Sequence, residues 1–261
     1  MASEIDLSEL EPQIRKQLEA ACYFSKVEGA DAYDACLERE LDKRDIDLVL
    51  PLHADVSDRR PTSSKPTWQP RGKALAATGF YQRTTGSVHV VLVGKDLAKI
   101  KAGKYEAQGS AVAISEDTAL TNCHVFEGSE SAVVMVDDNQ VPAKLGIVDE
   151  ETDRCFIRIS PSDAKLKAVR GIRSVDTLVV GERVYTIGTP SGLENSLGEG
   201  VVSGLRDDEG IQYVQTTAPI SPGSSGGGLF DASGNLIGIT TFILEDAQNL
   251  NFAIAADQYW Q

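Results

Sequence analysis

From Thr78 onward the chain breaks into short β-branched runs, at 87–93, 109–114, 132–136, 156–159, 178–187, 201–205, 211–216 and 236–242. Turn clusters such as Asp207-Asp208-Glu209-Gly210 and Asp231-Ala232-Ser233-Gly234-Asn235 separate them. Many short strands at this spacing, punctuated by turn clusters, predict an all-β barrel or sandwich rather than a parallel α/β sheet. No repeat of fixed period accompanies it.

The first quarter of the chain reads differently. Leu10, Ile14, Leu18 and Cys22 are spaced four apart behind a Ser8-x-x-Glu11 capping box, which predicts a helix over 8–26. Gly29 stops it, and Asp31 caps a second helix carrying Tyr33, Cys36, Leu37 and Leu41 on one face. Residues 1–52 are therefore expected to form an αα-hairpin. Cys22 and Cys36 each lie seven residues from Gly29, which sets them opposite one another and predicts a disulfide between the helices. Residues 53–76, with Arg59-Arg60-Pro61, Ser64-Lys65-Pro66 and Gln69-Pro70-Arg71-Gly72, have the composition of a linker to a domain at 77–261.

Charge and residue counts exclude several functions. A formal net charge of -14 leaves no basic footprint for nucleic acid or anionic lipid. No apolar run reaches the length of a membrane-spanning helix. Without a C-x-x-C, and with only His53, His89 and His124, far apart in sequence, a metal centre is not expected. No cofactor is implied either.

Ser221-Pro222-Gly223-Ser224-Ser225-Gly226-Gly227-Gly228-Leu229 is the segment richest in chemical content. A glycine-rich loop is commonly just a loop. This one contains Gly223-x-Ser225-x-Gly227, the nucleophile-elbow spacing of α/β-hydrolases, whose histidine follows the serine. No histidine follows Ser225 in this chain, so a histidine base must come from upstream. His124 stands 101 residues earlier, at the end of the apolar run Ala119-Leu120-Thr121-Asn122-Cys123. Between them, Asp153 heads a row with Cys155, Ile157 and Ile159 on one face of a predicted strand. A carboxylate at the mouth of such a row needs a hydrogen-bond partner, and a histidine would supply one.

With these pieces in place the chain resembles the trypsin-like serine protease superfamily, and within it the bacterial HtrA (DegP-type) branch. That branch carries T-N-x-H-V, D-x-A-x-L, N-P-G-N-S-G-G-P-L, G-x-I-G-I and N-x-x-F-A-I-P in this order. The counterparts here are Thr121-Asn122-Cys123-His124-Val125, Asp153-Arg154-Cys155-Phe156-Ile157, Ser221 to Leu229, Gly234-Asn235-Leu236-Ile237-Gly238-Ile239 and Asn249-Leu250-Asn251-Phe252-Ala253-Ile254. The resemblance covers about 77–257 and implies a chymotrypsin-like pair of six-stranded antiparallel β-barrels. It further implies a serine endopeptidase in which Ser225 is the nucleophile, His124 the general base and Asp153 its orienting carboxylate, acting on polypeptides. Gly223, Ser224 and Ser225 form the implied oxyanion loop, with the N–H groups of Gly223 and Ser225 as donors. Ser224 and Gly228 replace the branch's Asn and Pro, and the seven residues after Ile254 are not expected to include the branch's PDZ module. A barrel module that has lost catalysis, or an esterase or acyltransferase using the same triad, are the alternatives.

Three further expectations depend on that resemblance. The triad brings Cys123 and Cys155 close enough to bond, and two disulfides would place the protein in an oxidising compartment, the periplasm or the exterior. The residue six before Ser225, at the base of the specificity pocket in trypsin-like enzymes, is Pro219 rather than an aspartate. The pocket is therefore expected to be apolar, lined by Ala218, Pro219, Ile220 and the strand Thr240, Thr241, Phe242, Ile243, and to accept small or medium aliphatic residues.

Overall fold

A computed structural model of the chain describes residues 73–160, 162–189, 195–208, 210–243 and 250–260, with the side chains of Phe242 and Ile243 excepted. The expected hairpin at 1–52, its Cys22 and Cys36, and residues 53–72 of the linker lie outside the described residues. Twelve strands form two closed antiparallel barrels. The first contains β1 (Val88–Gly94), β2 (Ala107–Ala113), β3 (Thr118–Thr121), β4 (Ser131–Val136), β5 (Asn139–Asp149) and β6 (Arg154–Ile159). The second contains β7 (Arg183–Gly188), β8 (Ser196–Asp208), β9 (Ile211–Thr216), β10 (Gly228–Asp231), β11 (Leu236–Ile243) and β12 (Asn251–Ala255). Strand order is β1-β2-β3-β6-β5-β4 in one, and the same sequence of neighbours, β7-β8-β9-β12-β11-β10, closes the other. The duplication is one of topology, which is why no period is visible in the residues. Closure removes the free edges that a long antiparallel sheet would expose.

Two short helices were not anticipated. α1 (Ala77–Thr84) has only Phe80 and Thr84 buried, too few for an amphipathic period to show. Its anchor is Phe80, fully buried, with its ring 4.4 Å from Tyr185 and 5.8 Å from Phe230. α2 (Leu97–Lys101) is capped by Asp96, whose carboxylate accepts from the Lys99 N–H. The run at 178–187 was expected to be one strand. Instead the chain turns at Gly181, φ +92°, with the Val179 N–H on the Glu182 carboxylate, and β7 starts only at Arg183.

The two ends of the described fold cross over. α1 precedes the first barrel but packs on the second, and the Leu75 N–H just before it donates to Ala232 O at 2.9 Å. A 3₁₀ turn at Ala256–Trp260 follows the second barrel but packs on the first. There Tyr259 and Trp260 meet Phe156 edge-on, each with ring centroids 5.8 Å away, and the Tyr259 hydroxyl donates to Thr121 O. Val88, Val112, Leu120 and Phe156 of one barrel thus share a buried cluster with Tyr185, Ile187, Phe230 and Leu236 of the other. Burying large side chains on this scale contributes roughly 1.5–3 kcal/mol apiece, and it fixes the barrels against each other where β3, β6 and the Ser225 loop converge.

Candidate active site

His124 sits in a 3₁₀ turn, Cys123–Phe126, immediately after β3. Asp153 was expected on a strand face. The structure sets it in the turn just before β6, in the left-handed region at φ +57°. A non-glycine residue there is uncommon, although Asp tolerates it better than most. The turn is held in place by what it carries. Asp153 Oδ1 accepts the His124 backbone N–H at 2.9 Å, and Oδ2 faces His124 Nδ1 at 2.8 Å. The hydrogen bond that Nδ1 donates to Asp153, opposed by partial burial and helped by the charges of Asp153 and Glu127, holds the imidazole pKa above its ordinary 6.5. Since the carboxylate can only accept, Nδ1 carries the proton and Nε2 is left with a lone pair.

A disulfide between Cys123 and Cys155, Cα atoms 5.0 Å apart, ties the residue before His124 to the strand that follows Asp153. Asn122, fully buried, adds a second tie. Its Nδ2 donates to Asp153 O at 3.2 Å, and its Oδ1 accepts the Gly226 N–H at 2.7 Å, from the other barrel.

Ser225 lies between two glycines at positive φ, Gly223 at +90° and Gly226 at +83°. At Gly226 a Cβ would run into the Ser110 carbonyl, so no side chain fits. The N–H groups of Ser224, Gly226 and Gly227 are bonded within the protein. Those of Gly223 and Ser225 have no acceptor among the described residues. The Ser225 hydroxyl donates to Thr241 O at 3.2 Å rather than to His124.

Thr241 is the bulged residue of β11, where the register against β12 shifts between Thr240 and Phe242. A bulge re-aims a side chain, and here the Thr241 hydroxyl donates to Asp153 Oδ2 at 3.0 Å. One residue of the second barrel thereby touches both the serine and the aspartate. Sequence reasoning placed Thr241 in the pocket wall and gave it no contact with Asp153.

A profile of the trypsin-like peptidase domain matches residues 109–239. The chain belongs to this family. A putative serine protease, HhoA, of Synechocystis sp. is 35% identical over 161 residues, which are 58% of this chain and 41% of that protein. A probable periplasmic serine endoprotease, DegP-like, of Pseudomonas savastanoi pv. phaseolicola is 36% identical over 171 residues, 60% of this chain and 35% of that one. Among solved structures, the HtrA-type protease AlgW with a tripeptide superposes at a TM-score of 0.62 with 30% identity, over 71% of this chain and 62% of that one. The chain thus matches well under half the length of these two curated relatives.

Beneath the loop that leads to Ser225 lies a cavity of about 100 Å³, lined chiefly by Thr186, Gly188, Leu197, Pro219, Ser224 and Thr240, with no charged side chain among its described walls. Of the expected pocket residues, Pro219 and Thr240 are there. Ala218 is not: it is fully buried in the second barrel's own core, beside Val184, Val202 and Val214. Ile220 does not reach the cavity wall either, and the side chains of Phe242 and Ile243 lie outside the described residues.

Proposed function

We propose that this protease-family domain is an active serine endopeptidase that uses Ser225, His124 and Asp153. The observation that carries the reading is the doubly bonded His124–Asp153 pair. It fixes the imidazole tautomer and orientation and leaves Nε2 with the lone pair a base needs. When the Ser225 hydroxyl swings from Thr241 O toward Nε2, the base accepts its proton as Oγ attacks the substrate carbonyl. Negative charge builds on the carbonyl oxygen. The N–H groups of Gly223 and Ser225 would receive it, each such donor being worth roughly 3–4 kcal/mol in the transition state. The imidazolium, stabilised by Asp153, then protonates the leaving amine, and water repeats the sequence on the acyl-enzyme.

Polypeptides are the substrate class, as extended chain can pair with the backbone of β11 beyond Thr241. The uncharged cavity around Pro219 favours cleavage after small or medium aliphatic residues. The Cys123–Cys155 bond suits an oxidising compartment such as the periplasm. The decisive experiment is fluorophosphonate labelling of the intact protein with peptide mapping, together with hydrolysis of an unfolded protein by wild type and Ser225→Ala. Label on Ser225, and activity lost with Ser225→Ala, are expected. Label on another serine, or undiminished cleavage by Ser225→Ala, would refute the assignment.

A further inference from the structure

Ser110 has no hydrogen bond to His124 or Asp153, yet it grips the nucleophile loop at two points. It is fully buried in β2 of the first barrel. Its backbone N–H donates to Ser225 O at 2.8 Å, and its hydroxyl donates to Gly223 O at 3.0 Å. A second hydroxyl stands behind it. Thr189, at the end of β7, gives its backbone N–H to Ser110 Oγ at 3.1 Å, and the Thr189 and Ser110 hydroxyls are 2.9 Å apart. Thr189 is itself held from β2, by Gln108 Nε2 on its carbonyl at 2.7 Å.

A serine hydroxyl has one proton and two lone pairs. Ser110 accepts from the Thr189 N–H and donates to Gly223 O, while the Thr189 hydroxyl, 2.9 Å from Ser110 Oγ, is also within reach of Gly109 O at 3.1 Å and of Gly223 O at 3.4 Å. Both hydroxyls therefore converge on the carbonyl of Gly223. That carbonyl and the Ser224 N–H belong to one peptide plane, and the N–H is in turn fixed on Ser221 O at 2.9 Å. With both ends of this plane tied, the direction of the Gly223 N–H depends on rotation about the bonds just before it. Glycine at φ +90° rotates there with little steric penalty, so without the tie the N–H has no fixed aim.

We propose that Ser110, backed by Thr189, is the positioning residue that holds the oxyanion loop in its competent form. The inference rests on the endopeptidase reading given above. The second barrel supplies the serine and the oxyanion donors, and of the ties that reach them from the first barrel the Ser110 hydroxyl is the one on the Gly223 carbonyl. This assigns Ser110 a kinetic role that its burial inside a strand does not suggest.

The test compares Ser110→Ala, Thr189→Val and Thr189→Ser with wild type. It reads kcat and KM per active site titrated by fluorophosphonate, affinity for a peptide boronate, and melting temperature. Misaiming an oxyanion donor selectively weakens the transition state, so Ser110→Ala should lower kcat about 10- to 100-fold and boronate affinity in parallel, with KM within about threefold. Thr189→Val should show the same signature at about 3- to 10-fold, and Thr189→Ser, which keeps the hydroxyl, should restore it. Thr189→Val carries the test if Ser110→Ala does not fold. Values of kcat and boronate affinity within twofold of wild type per titrated site would overturn the proposal, as would a rise in KM alone. A wild-type protein that neither cleaves peptides nor labels at Ser225 would remove the endopeptidase reading itself, and this inference with it.

Discussion

The Thr241 hydroxyl offers the sharpest test of how the second barrel serves the His124–Asp153 pair. Thr241→Val keeps the shape of the side chain and the carbonyl that receives the Ser225 hydroxyl, and removes only the hydrogen bond to Asp153 Oδ2. Asp153 then retains two donors, both from His124. A hydrogen bond to a charged group is worth about 1.5–3 kcal/mol when well shielded. The Asp153 side chain is 26% exposed, which lowers the figure to around the bottom of that range, about 1–2 kcal/mol. If this appears in the transition state, where the imidazolium leans most on the carboxylate, kcat/KM falls about 5- to 30-fold. Thr241→Ser should lose little. The decisive measurement is a double-mutant cycle with Asp153→Asn, using steady-state hydrolysis of a chromogenic peptide. Once the carboxylate is gone, the Thr241→Val effect should shrink toward nothing, because the two residues act through one interaction. Equal effects in both backgrounds would show that Thr241 works through the backbone of β11 or through packing, and would refute the proposed role.

Two other outcomes follow from the same geometry. The hydrogen bond to Asp153 holds the His124 pKa above 6.5, so kcat/KM should rise with pH through a midpoint above that value, and Asp153→Asn, besides lowering activity about 10⁴-fold, should move the midpoint down; a pH–rate profile unchanged by the substitution would contradict it. The sign for stability is opposite. Protonated His124 gains from Asp153, so that contribution is present in full below the unfolded pKa and is lost as pH rises through the folded one, and it should be small because the His124 side chain is 44% exposed. Replacing Cys123 and Cys155 by Ala opens a crosslink of sequence separation 32 and should cost about 3–4 kcal/mol by the chain-entropy relation, measured by urea unfolding, with a loss of kcat from the freed His124 turn; a variant of wild-type stability would show that Asn122 and Asp153 alone hold that turn.

The parts of the site that were legible in the sequence are those where chemistry demands a residue type. A histidine and a serine in a glycine-rich loop are few enough in this chain to be matched by order, whereas Asp153, one of 39 acidic residues, was singled out by its place at the head of an apolar row and by the family resemblance. The all-β architecture was legible because β-branched runs and turn clusters recur without any helical period between them. Strand limits were not. β8 extends over Ser196–Asp208, well beyond the 201–205 that β-branched residues mark, because Gly198 and Gly200 pair with β7 without contributing any apolar signal. β5 left no mark at all. Its Asn139–Asp149 span mixes buried and exposed positions around a bulge that interrupts the alternation.

What the sequence hid most completely is the set of contacts that only exist once two barrels meet. Asn122 could be suspected, since it adjoins the histidine, but nothing local announces that its amide reaches Gly226, 104 residues away. Ser110 is a lone hydroxyl in an apolar run, a position that reads as ordinary strand. Its partners, Thr189 and Gly223, are 79 and 113 residues distant. The bonds from Asn122 and Ser110 to the loop share a physical logic. Each joins a buried side chain of the first barrel to a backbone group of the Ser225 loop, whose glycines give it little stiffness of its own. A loop made of glycine can adopt the tight turn that aims two N–H groups at one point, but it cannot hold that turn against conformational entropy of roughly 1–2 kcal/mol per residue. The holding must come from outside the loop. In this fold part of it comes from Thr240 of β11, which bonds Ser224, Gly226 and Gly227 from within the same barrel, and part from Asn122 and Ser110 of the first barrel, so a substitution that loosens the barrel interface should be read first in kcat.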